Sequence, residues 1–285
     1  TRTYAWQGPE QIAAITTTGP DGQLTSASQY EYDPRGHLIR QLFATGEVLE
    51  RQSDAAGNLF RTAQRSDRSY GRGGVLLRDG NTLYETDPDG FLIKKTLSDG
   101  ATWRYDWDAH GQLTKVTRPD GKTAEYAYDA FGRRTSKTFD GKVTEYVWDG
   151  DDLLHERVRD AQSGELEPVT TWICEPGMFT PVAKIQGRKR FGIVSDHLGS
   201  PTMLATEAGA IAWRAQLDVY GVPREEPGVA EGERTANPWR YPGQYEDAET
   251  GLYYNRFRYY DPELGRYLSE DPIGLEGGEG LFSYT

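Results

Sequence analysis

One motif, repeated at a nearly fixed step, constrains this chain more than its composition does. The unit reads aromatic-x-aromatic-Asp-x-x-Gly-x-Leu, with copies at Tyr30-Glu31-Tyr32-Asp33 (Gly36, Leu38), Tyr105-Asp106-Trp107-Asp108 (Gly111, Leu113) and Tyr126-Ala127-Tyr128-Asp129 (Gly132). Degenerate copies stand at Asp54, Asp87 and Asp149. Asp87, Asp108, Asp129 and Asp149 are 21, 21 and 20 residues apart. A period of this length means one supersecondary unit per repeat, stacked on its neighbours because no unit buries its apolar face alone.

A second kind of turn lies between these. Asp99-Gly100, Asp120-Gly121 and Asp140-Gly141 each fall nine residues before the next repeat aspartate. Asp-Gly supports the positive φ of a two-residue hairpin turn, and Lys122-Thr123-Ala124-Glu125-Tyr126-Ala127-Tyr128 alternates with strand period. Each repeat is therefore read as two antiparallel strands, and the stacked hairpins as one all-β spiral sheet that coils because strands twist. The aspartate of each Tyr-Asp is expected to cap a turn by accepting backbone N–H bonds, with the glycine three residues on at positive φ. No segment carries an apolar stripe of helical period, so helix is expected to be scarce.

Along the chain, residues 1–150 read as the repeat sheet, 151–195 as its irregular continuation and 196–285 as a separate C-terminal block. Gly221 to Pro238 has the composition of a surface loop. The charge is −12, from 32 basic and 44 acidic side chains, which disfavours nucleic acid and anionic membrane surfaces as partners. No lysine follows Lys189, and from Leu217 onward 14 acidic residues face 6 arginines, a setting for fixed, forked ion pairs. Only 36% of residues are hydrophobic, yet 7 Trp, 18 Tyr and 9 Phe supply the aromatic mass of a folded core. The single Cys174 excludes an internal disulfide, no Cys/His spacing suggests zinc, and no apolar run has the length of a membrane span. Neither a metal nor a cofactor is expected. The chain opens in mid-pattern at Thr1-Arg2-Thr3-Tyr4, which reads as a fragment of something longer.

Two stretches could carry chemistry. Asp196-His197-Leu198-Gly199-Ser200-Pro201 holds an acid, an imidazole and a hydroxyl, but neighbours on one strand point to opposite faces, so a turn is expected rather than a triad. Asp261 and Asp271 each precede proline and share a segment with Arg256, Arg258 and Arg266, which could fix the ionisation of a buried carboxylate.

The Tyr-Asp ladder, together with Tyr241-Pro242-Gly243-Gln244-Tyr245 and Glu249-Thr250-Gly251-Leu252-Tyr253-Tyr254-Asn255-Arg256-Phe257-Arg258-Tyr259-Tyr260-Asp261-Pro262, resembles the core end of Rhs/YD-repeat toxin proteins and the C component of Tc toxins. The resemblance implies a hollow β-shell wall ending in a core plug, with a C-terminal toxin as partner, a delivery or secretion component, and a secreted or injected location. It also implies aspartyl self-cleavage that frees the toxin. Asp271-Pro272-Ile273-Gly274 matches the first half of that pattern, Arg258 matches a supporting arginine, and Asp261 is a further candidate. The second aspartate and the cut site would lie past Thr285, so this stretch alone is expected to be inert as a protease. Gly280 and Phe282 stand where the family usually carries asparagine and tyrosine. The competing reading is an aromatic-rich carbohydrate-binding or adhesion module, which would expose the repeat aromatics instead of burying them. An unpaired edge strand would further invite self-association.

Overall fold

The computed structural model describes residues 1–19, 21–274 and 280–283. Among them, regular structure is all strand except one 3-10 turn at Arg72–Gly74. Strands Arg2–Trp6 to Val48–Glu50 form a five-stranded sheet, and Gln52–Ser53 pairs with Leu59–Phe60. A 16-stranded antiparallel meander then runs in sequence order from Arg68–Tyr70 to Pro223–Glu225. The expected all-β sheet of stacked hairpins is what the chain adopts. The positions 150/151 and 195/196 both fall within the span of the 16-stranded sheet.

The repeat motif works as a turn device. Oδ1 of Asp33, Asp87, Asp108 and Asp129 each accepts the backbone N–H groups two and four residues on, at 2.8–3.0 Å. The glycine three residues on takes φ between 74° and 89°, where a Cβ would be strained. Asp196 with Gly199 and Asp218 with Gly221 repeat this geometry, although their flanking residues had lost the aromatic signature. Asp149 departs from it: Asp149 pairs directly with Asp152, leaving only Gly150-Asp151 in the loop. Of the Asp-Gly turns, only Asp140-Gly141 is a two-residue loop with both φ positive. At Asp99-Gly100 and Asp120-Gly121 the closing pairs Leu97 to Ala101 and Arg118 to Lys122 leave three-residue loops, in which glycine alone needs positive φ.

Beside the capped turns the ladder slips by one residue, at Glu31/Tyr32, Glu85/Thr86, Asp106/Trp107, Ala127/Tyr128 and Val194/Ser195. Bulges bend a strand and increase its twist, so recurrence next to the same kind of turn makes the sheet curl.

The two aromatics of each unit have different jobs. The first, at Tyr84, Tyr105, Tyr126 and Tyr146, is only 4–7% exposed and faces the core. The second turns its polar tip back across the sheet. Trp107 Nε1 donates to Leu92 O at 2.8 Å, Tyr128 Oη to Leu113 O at 2.7 Å and Trp148 Nε1 to Arg134 O at 2.8 Å, tying neighbouring units together. The opposite face carries cross-strand ion pairs such as Lys94 with Glu85 at 2.7 Å and Lys115 with Glu125 at 3.7 Å.

A four-stranded sheet, Tyr245–Asp247, Leu252–Asn255, Arg258–Asp261 and Arg266–Tyr267, packs on the inner face. Its Leu252, Tyr254 and Tyr259, with Leu264 and Leu268, form one cluster with Tyr84, Tyr105, Leu113, Val116 and Tyr126. The repeat aromatics are thus buried in register against a plug, which counts against their serving as exposed platforms for sugars. The stretch expected as a surface loop is also pinned. Glu226, 7% exposed, meets Arg2 and Arg214 at 3.1 Å and accepts from Thr17 and Ser26, joining the five-stranded sheet to the far end of the large one.

The plug turn closed by Gly265 N–H on Asp261 O at 2.7 Å shows how tight this packing is. Gly265 has φ 72°, and a Cβ there would lie 2.6 Å from Tyr220 Cδ1 and 2.9 Å from Leu59 Cδ2. Gly265→Ala combines a left-handed backbone penalty with overpacking and is expected to destabilise by about 2–4 kcal/mol in urea unfolding. A loss below about 0.5 kcal/mol would mean that the turn and the Tyr220 ring simply move apart.

Candidate active site

Strand Arg258–Asp261 delivers Arg258 to Asp271, with Nη2 2.9 Å from Oδ2 and both side chains only 14% and 13% exposed. The guanidinium lies over the Tyr267 ring at 3.7 Å from its centre. Tyr267 is itself fixed, 2% exposed, with its hydroxyl accepting from Asn255 Nδ2 at 2.6 Å. Stacking and ion pairing together leave Arg258 little freedom. Asp271 also caps its own Asp-Pro turn, Oδ1 accepting Ile273 N–H at 3.0 Å, while its N–H donates to Leu281 O at 2.8 Å. Both members of the pair line a cleft of about 610 Å³ whose wall is largely aromatic, with Trp148, Trp239 and Phe257 among its side chains.

The other sequence candidates go elsewhere. Asp261 is 4% exposed, caps the turn through Glu263 and Leu264 N–H at 2.8 and 3.2 Å, and lies 4.0 Å from Lys95. Burial raises its pKa against the pull of Lys95, and it is not among the side chains lining the cleft. Arg256 pairs with Asp151 at 2.8 Å. Arg266 donates to Gly74 O at 2.9 Å, and burial pushes its pKa down to about 10. Of the three arginines expected to crowd together, only Arg258 reaches Asp271. Around Asp196 the turn reading describes the geometry: His197 meets Tyr4 and Trp6 edge-on, Ser200 is fully buried, and no triad forms. Among the described residues no cluster of His, Cys, Asp or Glu has the arrangement to hold a metal ion, and no helix is long and apolar enough to cross a membrane.

The strongest polar contact beside the cleft was not anticipated. Arg134, 1% exposed, grips Asp247, 0% exposed, with Nη1–Oδ2 at 2.5 Å and Nη2–Oδ1 at 3.0 Å. Lys137 adds a bond to Asp247 Oδ1 at 2.9 Å and meets Glu249 at the same distance. The Arg134 guanidinium sits 4.4 Å from the Tyr254 ring centre and 4.7 Å from that of Tyr146. This knot joins the wall to the plug. Its partners are 113 residues apart, so nothing in the local pattern paired them.

Comparison with known proteins agrees with the fold. The Teneurin YD-shell family model matches residues 12–276. The double-stranded DNA deaminase toxin A of Burkholderia cenocepacia is 32% identical over 317 residues, covering 100% of this chain and 21% of that protein. The toxin protein Tse5 of Pseudomonas aeruginosa is 32% identical over 313 residues, covering 91% of this chain and 23% of that protein. The chain therefore spans about a fifth of the length of these relatives. The Photorhabdus luminescens Tc holotoxin pore has the same fold over 100% of this chain and 17% of its own, with a TM-score of 0.58 at 17% identity. With its curled wall of capped Tyr-Asp hairpins, its inner plug and a family match over nearly its whole length, the chain belongs to the Teneurin YD-shell family.

Proposed function

We propose that this chain is the wall and core plug of a toxin carrier, and that Asp271, held by Arg258, is one carboxylate of an aspartyl centre that cuts the carrier's own chain to release a C-terminal toxin. The observation that carries the reading is the Arg258–Asp271 pair at 2.9 Å on the wall of an aromatic cleft. The named toxins among the relatives support it. Aspartyl hydrolysis needs two carboxylates in opposite states. The ionised one takes a proton from water as the water oxygen attacks the carbonyl carbon. The protonated one gives its proton to the amide nitrogen as the C–N bond breaks. We assign the first role to Asp271, beside Arg258, and expect the second carboxylate downstream of residue 285.

A delivery or secretion component is proposed as the external partner. Self-association is proposed through strand Arg2–Trp6, which pairs only with Ile12–Thr18 among the described residues. The deciding measurement is the intact mass of the full-length protein with and without Asp271→Asn. Two pieces from the wild type and one from the variant support the reading; a wild type that stays whole removes it.

A further inference from the structure

Several buried polar atoms on the wall of the Asp271 cleft are left without hydrogen-bond partners among the described residues, Arg134 Nε, Arg256 Nε and one on each of three further residues among them. Trp239 is 5% exposed, and its buried indole N–H meets no acceptor among the described residues. Arg258 uses Nη2 on Asp271 and leaves Nη1 buried and unmatched. Asp152 Oδ1 is buried and accepts no hydrogen bond among the described residues. All three residues line the same cleft. A buried polar atom without a partner is costly, so several beside one cavity call for a common explanation.

Asp152 is the most costly of them. It sits at the tip of the hairpin with Asp149 and Asp151, and burial, followed by those two charges, raises its pKa. Asp151 has Arg256 at 2.8 Å, whereas Asp152 has no ion pair among the described residues.

Unmatched donors and an acceptor spread between exposed apolar side chains fit one chemistry, an extended polypeptide. Its backbone offers carbonyls and N–H groups in alternation, and its side chains would rest on Phe179, Phe257 and Ile273, which are 44%, 55% and 60% exposed. An anion would use the donors but be repelled by Asp152 and Asp271. A cation would leave the donors unmet.

We propose that Asp152 and Trp239 are positioning residues that hold the protein's own chain extended across this cleft, with the bond to be cut over Asp271. Trp239 and Arg258 donate to carbonyls of that segment, and the Asp152 carboxylate accepts one of its amide N–H groups. The inference rests on Asp271 being the cleavage carboxylate, as proposed above.

The test follows self-cleavage of the full-length protein over time by intact mass, for wild type, Asp271→Asn, Asp152→Asn and Trp239→Phe, with a Tm for each. Asp152→Asn is expected to cut at least about tenfold more slowly while its Tm holds or rises, because a desolvated carboxylate repelled by two others has been removed. A residue with a merely structural role would not separate the two readouts in that direction. Trp239→Phe keeps an aromatic ring against Trp172 and Tyr245, removes the N–H together with part of the ring's bulk, and is expected to slow cleavage similarly. Should Trp239→Phe lose stability, Asp152→Asn decides alone. If Asp271→Asn blocks cleavage while Asp152→Asn cuts at the wild-type rate, or slows only with a falling Tm, the positioning role is overturned and the reading of Asp271 stands. If the wild type never cuts, both fall.

Discussion

Asp247→Asn should cost the folded state about 3–5 kcal/mol, because it leaves the fully buried Arg134 guanidinium without its counter-charge. The loss should appear in urea unfolding as a lower midpoint, accompanied by a red shift in aromatic emission as the plug leaves the wall. The pair itself is not the source of that stability, since two charges had to be desolvated to make it. Replacing Arg134 and Asp247 together by Leu should therefore recover most of the loss, and the double-mutant cycle should be strongly non-additive. Additive losses, or a single-variant effect below about 1 kcal/mol, would show that the knot is open to water. The same pair sets an acid limit. Burial opposes ionisation of Asp247, but Arg134 and Lys137 overcome it and hold the carboxyl below its usual range. A depressed carboxyl contributes stability that is fully present above its unfolded pKa of about 3.9 and is lost as pH falls through the lower folded value. Wild type should therefore lose plug docking below about pH 4, and Asp247→Asn should lack this component of the acid transition.

Asp271→Asn should slow self-cleavage of the full-length protein by about 10²–10⁴-fold, the contribution of a general base that an amide cannot replace. Arg258→Lys discriminates more finely. Lysine keeps the positive charge but not the flat stacking on Tyr267 at 3.7 Å, so it should retain part of the activity. Arg258→Ala should fall close to Asp271→Asn. Equal rates for Arg258→Ala and wild type would mean that the 2.9 Å pair serves folding and not chemistry.

Much of the wall was legible before any coordinates. The 21-residue step and the x-x-Gly after each aspartate describe a local event, a carboxylate gathering two nearby N–H groups, and the residues that make it are within four positions of each other. Tyr84, Tyr105 and Tyr126 hold the same place in successive units, and their burial follows from the plug covering that face. The turn at Asp218 escaped notice, because the pattern was sought through its aromatics while the turn needs only the aspartate and the glycine.

The site was legible only in part. The family resemblance names both Arg258 and Asp271, and thirteen residues of chain let the turn at Asp271 fold back to Arg258 on the small sheet. Arg256, Arg258 and Arg266 look equivalent on the line, yet they part ways because alternation and the intervening turns point them at different neighbours. Arg134 with Asp247, Glu226 with Arg2, and the cleft formed by Asp152, Trp239 and Asp271 join segments far apart in sequence. Period and turn chemistry are properties of neighbours along the chain, and the sequence by itself determined them. Which charges end up sealed together, and which are left unmatched beside a cavity, depends on how the plug seats in the curled wall, and only the tertiary structure decided that.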